Sequence, residues 1–352
     1  MEHKIPVTVL GATGSVGQRF VQLLDGHPWF QVVSLTGSER SEGRPYGEIC
    51  HWVMDEPMPG WAREIPVTPS IPDPGETRLA FSALPADTAR RIEPAFAEAG
   101  VWVCSNASAF RREADVPILL PEVNPGHVDL VERQRRSRGW KAGIVTNPNC
   151  SSTGLTVALK ALKDAFGLKK VFVVTLQAVS GAGYPGLPSM DILDNVIPFI
   201  GGEEEKLEWE PRKMLGALGD GQVELDPVRI SAQVNRVPIT DGHLASVAVE
   251  FAAPPTPEQA ANALRDYTAP EVSRDLPSSP HPILQVRSEP DRPQTRLDRR
   301  TGRGMTTVVG RIRPDTLLDL RMVVLSHNTI RGAAGGAVYN AELLVRRGIV
   351  AE

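Results

Sequence analysis

Pro6-Val7-Thr8-Val9-Leu10-Gly11-Ala12-Thr13-Gly14-Ser15-Val16-Gly17 is the stretch on which the fold turns. Pro6 to Leu10 read as a buried strand, and Phe20, Leu23 and Leu24 recur at helical spacing beyond Gly17. Strand, glycine turn and helix in that order form a dinucleotide fingerprint. The glycines let the backbone approach a pyrophosphate, which rests on the helix N-terminus. The spacing is G-x-x-G-x-x-G, a variant of the common pattern. Gly11, Ala12, Thr13, Gly14, Ser15, Val16 and Gly17 are therefore candidate cofactor-binding residues. The other reading of the same glycines is a structural tight turn.

A second strand, Gln31 to Thr36, ends in Gly37-Ser38-Glu39-Arg40-Ser41. NAD sites place an acidic residue about 20 residues past the glycines to hold the ribose hydroxyls. Glu39 is acidic, but Ser38, Arg40 and Ser41 offer donors suited to a 2′-phosphate. NADP is the expected cofactor; a solvated surface loop is the alternative for these residues.

Strand and helix patterns keep alternating after this: Leu79 to Leu84, Asp87 to Ala99, Val101 to Cys104, Ile118 to Leu120, His127 to Arg138, and Ala142 to Thr146. Such alternation implies a doubly wound, mostly parallel α/β sheet of the Rossmann type. Beyond the helix-like run Gly154 to Phe166, long β-rich runs dominate: Lys170 to Ser180, Val228 to Pro238, His243 to Ala252, Thr306 to Arg313 and Leu318 to Ser326. These predict an α+β domain with a mixed sheet. Residues 1–149 are expected to form the nucleotide domain, completed by a C-terminal helix over 328–352. Residues 150–327 are expected to form a catalytic and oligomerisation domain. Ser273 to Gly304, poor in apolar residues, reads as a long loop.

Cys150 stands where the strand Ala142 to Thr146 gives way to that helix, in Asn147-Pro148-Asn149-Cys150-Ser151-Ser152-Thr153-Gly154. Free N–H groups and the positive dipole end at a helix start favour a thiolate and can hold an oxyanion. A thiolate nucleophile needs an acid/base partner. Of seven histidines, His243 sits at a turn opening a strand, and His327, at a strand end, is its rival. His27, His127 and His281 lie in segments that read as surface. Cys50 and Cys104 lack the loop-to-helix setting, and Cys50-His51 has no second pair at metal spacing, so no metal is expected.

Composition excludes other classes. The chain has 352 residues, 41% hydrophobic and 23% charged, ordinary for a soluble globular protein of two domains. A net charge of −4 leaves no footprint for nucleic acid. The cluster Arg133, Arg135, Arg136, Arg138, Lys141 reads as a solvated helix face. No apolar run approaches the ~18 residues of a membrane span. Three cysteines make no disulfide framework, and the cytoplasm is the expected compartment.

With these residues in view, the chain resembles the aspartate-semialdehyde dehydrogenases, in their archaeal and fungal branch, over nearly its whole length. The resemblance rests on the glycine turn, Ser105-Asn106-Ala107 through Arg111, Pro121-Glu122-Val123-Asn124, Asn147 to Ser151, Gln177-Ala178-Val179-Ser180-Gly181-Ala182-Gly183, Glu203-Glu204-Glu205-Lys206, Arg236 to His243, Arg292-Pro293-Gln294 and Asn328 to Ala337. It implies NADP-dependent reductive dephosphorylation of β-aspartyl phosphate through a cysteine thioester, a step toward lysine, threonine and methionine. It implies Cys150 as nucleophile, His243 as acid/base, and Gln177 orienting the acyl intermediate, with Asn149 in the same catalytic group. Arg236 would hold the substrate carboxylate, Glu210 the amino group, and Lys213 and Arg111 the phosphate, with Arg112 a one-residue rival to Arg111. Ser180, Gly181 and Asn328 would lie at the cofactor, with Asn328 at the nicotinamide. It also implies a homodimer or homotetramer.

Two rivals stand beside this reading. Archaeal malonyl-CoA reductases share the scaffold, would keep Cys150 and His243, and need no amino-group recognition. A non-catalytic NADP-binding sensor would bind cofactor without turnover.

Overall fold

The computed structural model describes residues 4–350, apart from the Glu39 side chain; residues 1–3, 351 and 352, the outer ends of the expected nucleotide-domain segments, lie outside the described residues. Six strands build the first sheet: β1 (Ile5–Leu10), β2 (Phe30–Thr36), β3 (Val67–Thr68), β4 (Leu79–Ser82), β5 (Trp102–Ser105) and β6 (Ile144–Thr146). Every pairing is parallel, and the spatial order is β3-β2-β1-β4-β5-β6. The order reverses between β1 and β4. Ligands of such sheets bind in the crevice outside the strand ends at that switch point.

The glycine turn follows β1 directly. Gly11 has φ +72°, a region that favours glycine. A Cβ on Gly17 would fall 2.2 Å from the Gly11 carbonyl oxygen, so only glycine lets the Ser15–Leu23 helix pack this close to the turn. The C-terminal helix returns to this sheet: Ala334, Ala337, Val338, Ala341 and Leu344 share a core with Val9, Phe20 and Phe81. Its first turn, Ile330–Ala334, is π-helical before the α-helix Gly335–Arg346.

The second sheet is mixed. After β7 (Leu168–Gln177) come the small hairpin β8 (Ala217–Leu218) and β9 (Val223–Glu224), then β10 (Arg229–Arg236), β11 (His243–Phe251), β12 (Leu284–Val286), β13 (Thr307–Pro314) and β14 (Leu320–Ser326). The sheet runs β10-β7-β11-β14-β13-β12. The helices Cys150–Phe166, Glu203–Met214 and Pro257–Arg265 bury apolar side chains against it. The last of these begins with a capping box between Thr256 and Gln259, as its Thr-Pro-Glu start suggests.

Three expectations need correction. Ser273 to Gly304 is not a plain loop: it holds β12, the short helix Thr295–Asp298, and a buried Asp298 carboxylate that gathers Arg287, Arg292 and the Gln294 N–H. A buried ion-pair cluster orders it together with a few scattered apolar anchors, Leu276 and Leu284 among them, too sparse for hydrophobic periodicity to register. His27 and His127 are buried, not surface: His27 meets Glu342 at 3.0 Å, and His127 bridges Asn124 and the Gly216 carbonyl. Polar neighbours in sequence concealed partners 315 and 89 residues away. No helix among the described residues is long and apolar enough to cross a membrane.

Candidate active site

Strand pairing brings the candidate side chains together. β7 and β10 run parallel and end in register at Gln177 and Arg236. β11 runs antiparallel to β7 and starts at that same end, so His243 opens beside them. The Cys150–Phe166 helix starts over this edge, capped by Asn149, whose side chain accepts from the Ser151 N–H at 2.9 Å. Gly332 lies against Cys150: a Cβ there would be 2.8 Å from the Cys150 Cβ.

Cys150 Sγ lies 3.2 Å from His243 Nε2. His243 Nδ1 accepts the Ala178 N–H at 3.0 Å, so the neutral ring carries its proton on Nε2, the nitrogen that faces the sulfur. Burial holds His243 down at about 3, helped by the positive charge of Arg236. The rival His327 is buried apart from the sulfur; its Nδ1 accepts from the Ile330 N–H at the π-helical turn.

The thiolate expected from the helix start is not the resting state. Burial pushes the Cys150 thiol up to about 12, and the Glu203 carboxylate adds to this. Arg111, Arg236 and Lys206 pull the other way without winning. Desolvation outweighs the half-charge of a helix terminus.

Glu203, in the Glu203-Glu204-Glu205-Lys206 run, carries no role in the sequence reading yet lies buried near Cys150. It is 7% exposed, and both its oxygens accept from Asn149 Nδ2, at 3.0 and 2.9 Å. Lys206 Nζ sits 2.8 Å from it. Glu210 and Lys213, one E-x-x-K spacing further on, are committed elsewhere. Glu210 accepts from Arg111 Nη1 at 2.8 Å and from the Asn149 N–H at 2.5 Å. Lys213 Nζ donates to the carbonyls of Arg111, Glu113 and Val116, each at 2.8 Å, which uses all three of its protons. The expected phosphate role of Lys213 and amino-group role of Glu210 are corrected accordingly: this pair braces the Arg111 loop. Seven residues is two helical turns, so both E-x-x-K pairs share a face and spacing alone could not choose between them.

Arg111 is buried and bound by Glu210 and the Asn106 carbonyl, with Nε unpartnered among the described residues. Arg112 is exposed, over the Trp209 ring and near Glu205, whereas Arg111 is the buried one of the two. Arg236 donates through Nη1 to the Ala178 carbonyl at 2.7 Å. Gln177 is buried at the strand end. A Cβ on Gly181 would press on Arg236 Nη1 at 2.8 Å and on the His243 ring.

Two cavities flank the glycine turn and test whether a dinucleotide fits. One of about 740 Å³ is lined by Gly11, Thr13, Ser38, Arg40, Ser70, Ile71, Leu84 and Thr88, which combines apolar walls with a basic, hydroxylic end. Ser41 reaches it only through Ser38, their hydroxyls 3.3 Å apart. The second, of about 380 Å³, is lined by Ser15, Val53, Met54, Ser180, Tyr184, Thr240 and Thr329 and is bounded by the Val179–Ala182 turn that follows Gln177. Asn328 accepts the Gly242 N–H and donates to Ser180 Oγ, so it ties the His243 turn to that cavity's wall. The residues present fit a dinucleotide with a phosphorylated ribose. Among the described residues no group of three or more His, Cys, Asp or Glu is placed to hold a metal.

Comparison with known proteins adds a family context. Residues 6–131 match the profile of the semialdehyde dehydrogenase NAD binding domain, and residues 159–331 that of the semialdehyde dehydrogenase dimerisation domain. An aspartate-semialdehyde dehydrogenase of Archaeoglobus fulgidus is 50% identical over 98% of this chain and 99% of its own. That of Schizosaccharomyces pombe is 46% identical over 98% and 99%. Among solved structures, the aspartate semialdehyde dehydrogenase with NADP from Candida albicans superposes with a TM-score of 0.90 at 43% identity, covering 98% of this chain and 100% of that one. The aspartate semialdehyde dehydrogenase II complexed with ASA from Vibrio cholerae gives 0.78 at 29% identity, over 98% and 99%.

Proposed function

The chain belongs to the aspartate-semialdehyde dehydrogenase family, and from that premise we propose that it reduces β-aspartyl phosphate to aspartate β-semialdehyde with release of phosphate. The observation that carries this reading is the 3.2 Å contact between Cys150 Sγ and the Nε2 of His243, under a helix start and ringed by two arginines and a carboxylate.

Cys150 attacks the acyl phosphate: the S–C bond forms, the C–O bond to phosphate breaks, the thiol proton leaves with the phosphate as hydrogen phosphate, and a thioester remains. Lys206 and Arg111 carry the charge that meets the departing phosphate, and Arg236 suits the substrate carboxylate through its planar fork. Glu203 receives the substrate ammonium. That contact offsets the negative charge that adds to burial in holding the thiol protonated, so substrate entry shifts Cys150 toward the thiolate. His243 presents Nε2–H to the sulfur and then to the oxyanion of the tetrahedral adduct, while the Ala178 N–H keeps the ring in that tautomer. Gln177, beside Arg236 in register, orients the acyl group. NADPH, when bound, would be held by the glycine turn with Ser38 and Arg40 at its phosphorylated ribose and would supply the hydride. Collapse of the adduct expels the sulfur as a thiolate, which takes a proton from solvent to restore the thiol, and frees the aldehyde.

Domain borders at 149/150 and 327/328 divide these duties between a nucleotide half and a catalytic half. The second sheet leaves Phe172 47% and Leu176 37% exposed on the face opposite its helices, and the 184–199 excursion exposes Tyr184, Met190, Leu193 and Phe199. A second copy of the chain covers this face in a homodimer, and light scattering reads that mass against a tetramer's.

The direct test of the reaction is phosphate-dependent reduction of NADP by aspartate semialdehyde, with arsenate able to replace phosphate. Cys150→Ser should retain a small fraction of the rate, because a serine hydroxyl is hardly ionised near neutral pH. Near-normal turnover in that variant would overturn the mechanism. The relatives above favour this substrate over malonyl-CoA, and the same assay with malonyl-CoA should give no comparable rate.

A further inference from the structure

The Ser15–Leu23 helix carries a buried cation that the mechanism does not use. Arg19 is 7% exposed. Its Nη1 donates to the neutral amide of Gln22 at 2.6 Å, and its Nε has no partner among the described residues. No described carboxylate pairs with it within 4.0 Å; Asp241 and Asp55 act on it only from farther off. A buried guanidinium without an ion pair is costly, and such charges in folded proteins meet an anion.

Its position says which anion. Arg19 lines the cavity of about 380 Å³ together with Ser15, Ser180, Thr240 and Thr329, between the glycine turn and the Val179–Ala182 turn. Ser15 and Arg19 are four residues apart and so stack on one helix face. Long side chains on a helix lean back over the preceding turn, which brings the guanidinium toward the helix start. The first N–H groups there have no partner inside the helix and favour negative charge.

We propose that Arg19 binds the diphosphate of the dinucleotide cofactor from its nicotinamide side, completing the anion site that the glycine turn begins. This rests on the NADP reading above. The competing role is an electrostatic clasp to Asp55 and Asp241 with no ligand involved.

Fluorescence titration of NADPH into the wild-type protein, Arg19→Gln and Arg19→Lys separates the two, with 2′,5′-ADP as a second ligand measured by calorimetry. The latter keeps the adenosine end but lacks the second phosphate and the nicotinamide ribose. Arg19→Gln should raise the NADPH Kd by roughly tenfold to a hundredfold, the loss of one charged hydrogen-bonding group. Arg19→Lys should raise it less, and 2′,5′-ADP should bind all three proteins alike. An unchanged NADPH Kd in Arg19→Gln, or equal weakening of both ligands, overturns the assignment. A wild-type protein that binds no NADPH would instead overturn the cofactor reading, and this inference with it.

Discussion

Replacing Glu203 with glutamine should make Cys150 more reactive and the enzyme worse. Glu203 is buried, shares its oxygens between Asn149 and Lys206, and its charge works to keep the thiol protonated. With the thiol held at about 12, on the order of one Cys150 in ten thousand is ionised at pH 8. A like charge at close range is worth about one to two powers of ten in that fraction. Glutamine keeps the shape and an oxygen for Asn149 but carries no charge. Iodoacetamide should therefore label Cys150 about tenfold to a hundredfold faster in Glu203→Gln at pH 8, without substrate present. Turnover should move the other way. Losing the partner of the substrate ammonium forfeits about 1.5–3 kcal/mol, so the KM for aspartate semialdehyde should rise roughly tenfold or more. The corresponding Glu210→Gln change should leave alkylation nearly alone, since Glu210 is tied to Arg111 and the Asn149 backbone. Unchanged labelling together with an unchanged KM in Glu203→Gln would refute both the charge argument and the ammonium assignment.

Lys206 and Lys213 should part company under the same substitution. Lys206→Met should raise the KM for phosphate, with a smaller loss of Tm than Lys213→Met, since the Glu203 carboxylate it leaves behind keeps its Asn149 donor. Lys213→Met strands three buried carbonyls, each of which costs about 1–3 kcal/mol, so its signature should be a lower Tm. Acid should weaken the fold through its buried histidines. Burial holds His127 at about 4 against 6.5. Below about pH 6.5 the unfolded chain binds a proton that the folded chain refuses, so stability falls with pH, by about 2 kcal/mol at pH 5 for this one ring. His127→Gln should narrow the gap between urea midpoints at pH 7 and pH 5; an unaltered gap would remove His127 from the account. Gly17→Ala drives a Cβ into the Gly11 carbonyl and should cost about 1–3 kcal/mol, with NADPH binding reduced in fluorescence titration. Wild-type affinity in that variant would mean that the turn does not shape the cofactor site.

Much of this protein is legible along the chain because its elements are specified locally. The strand–glycine–helix order at Pro6 to Gly17 marks a nucleotide sheet, since the +72° φ at position 11 favours glycine and the packing at position 17 leaves no room for a Cβ. Alternating strand and helix patterns yield the parallel sheet, and β-rich runs after Phe166 yield the mixed one. The setting of Cys150, between a strand and a helix start, is equally local. Other features depend on contacts that no local pattern encodes. His243 rather than His327 meets the sulfur because β11 starts at the end where β7 and β10 stop. Glu203 and Lys206, rather than Glu210 and Lys213, act on the thiol because only packing decides which of two equivalent helical turns lies over it. The ionisation of Cys150 reverses the local expectation: a helix start nine or ninety residues long offers the same partial charge, whereas desolvation is set by everything the fold places around the sulfur.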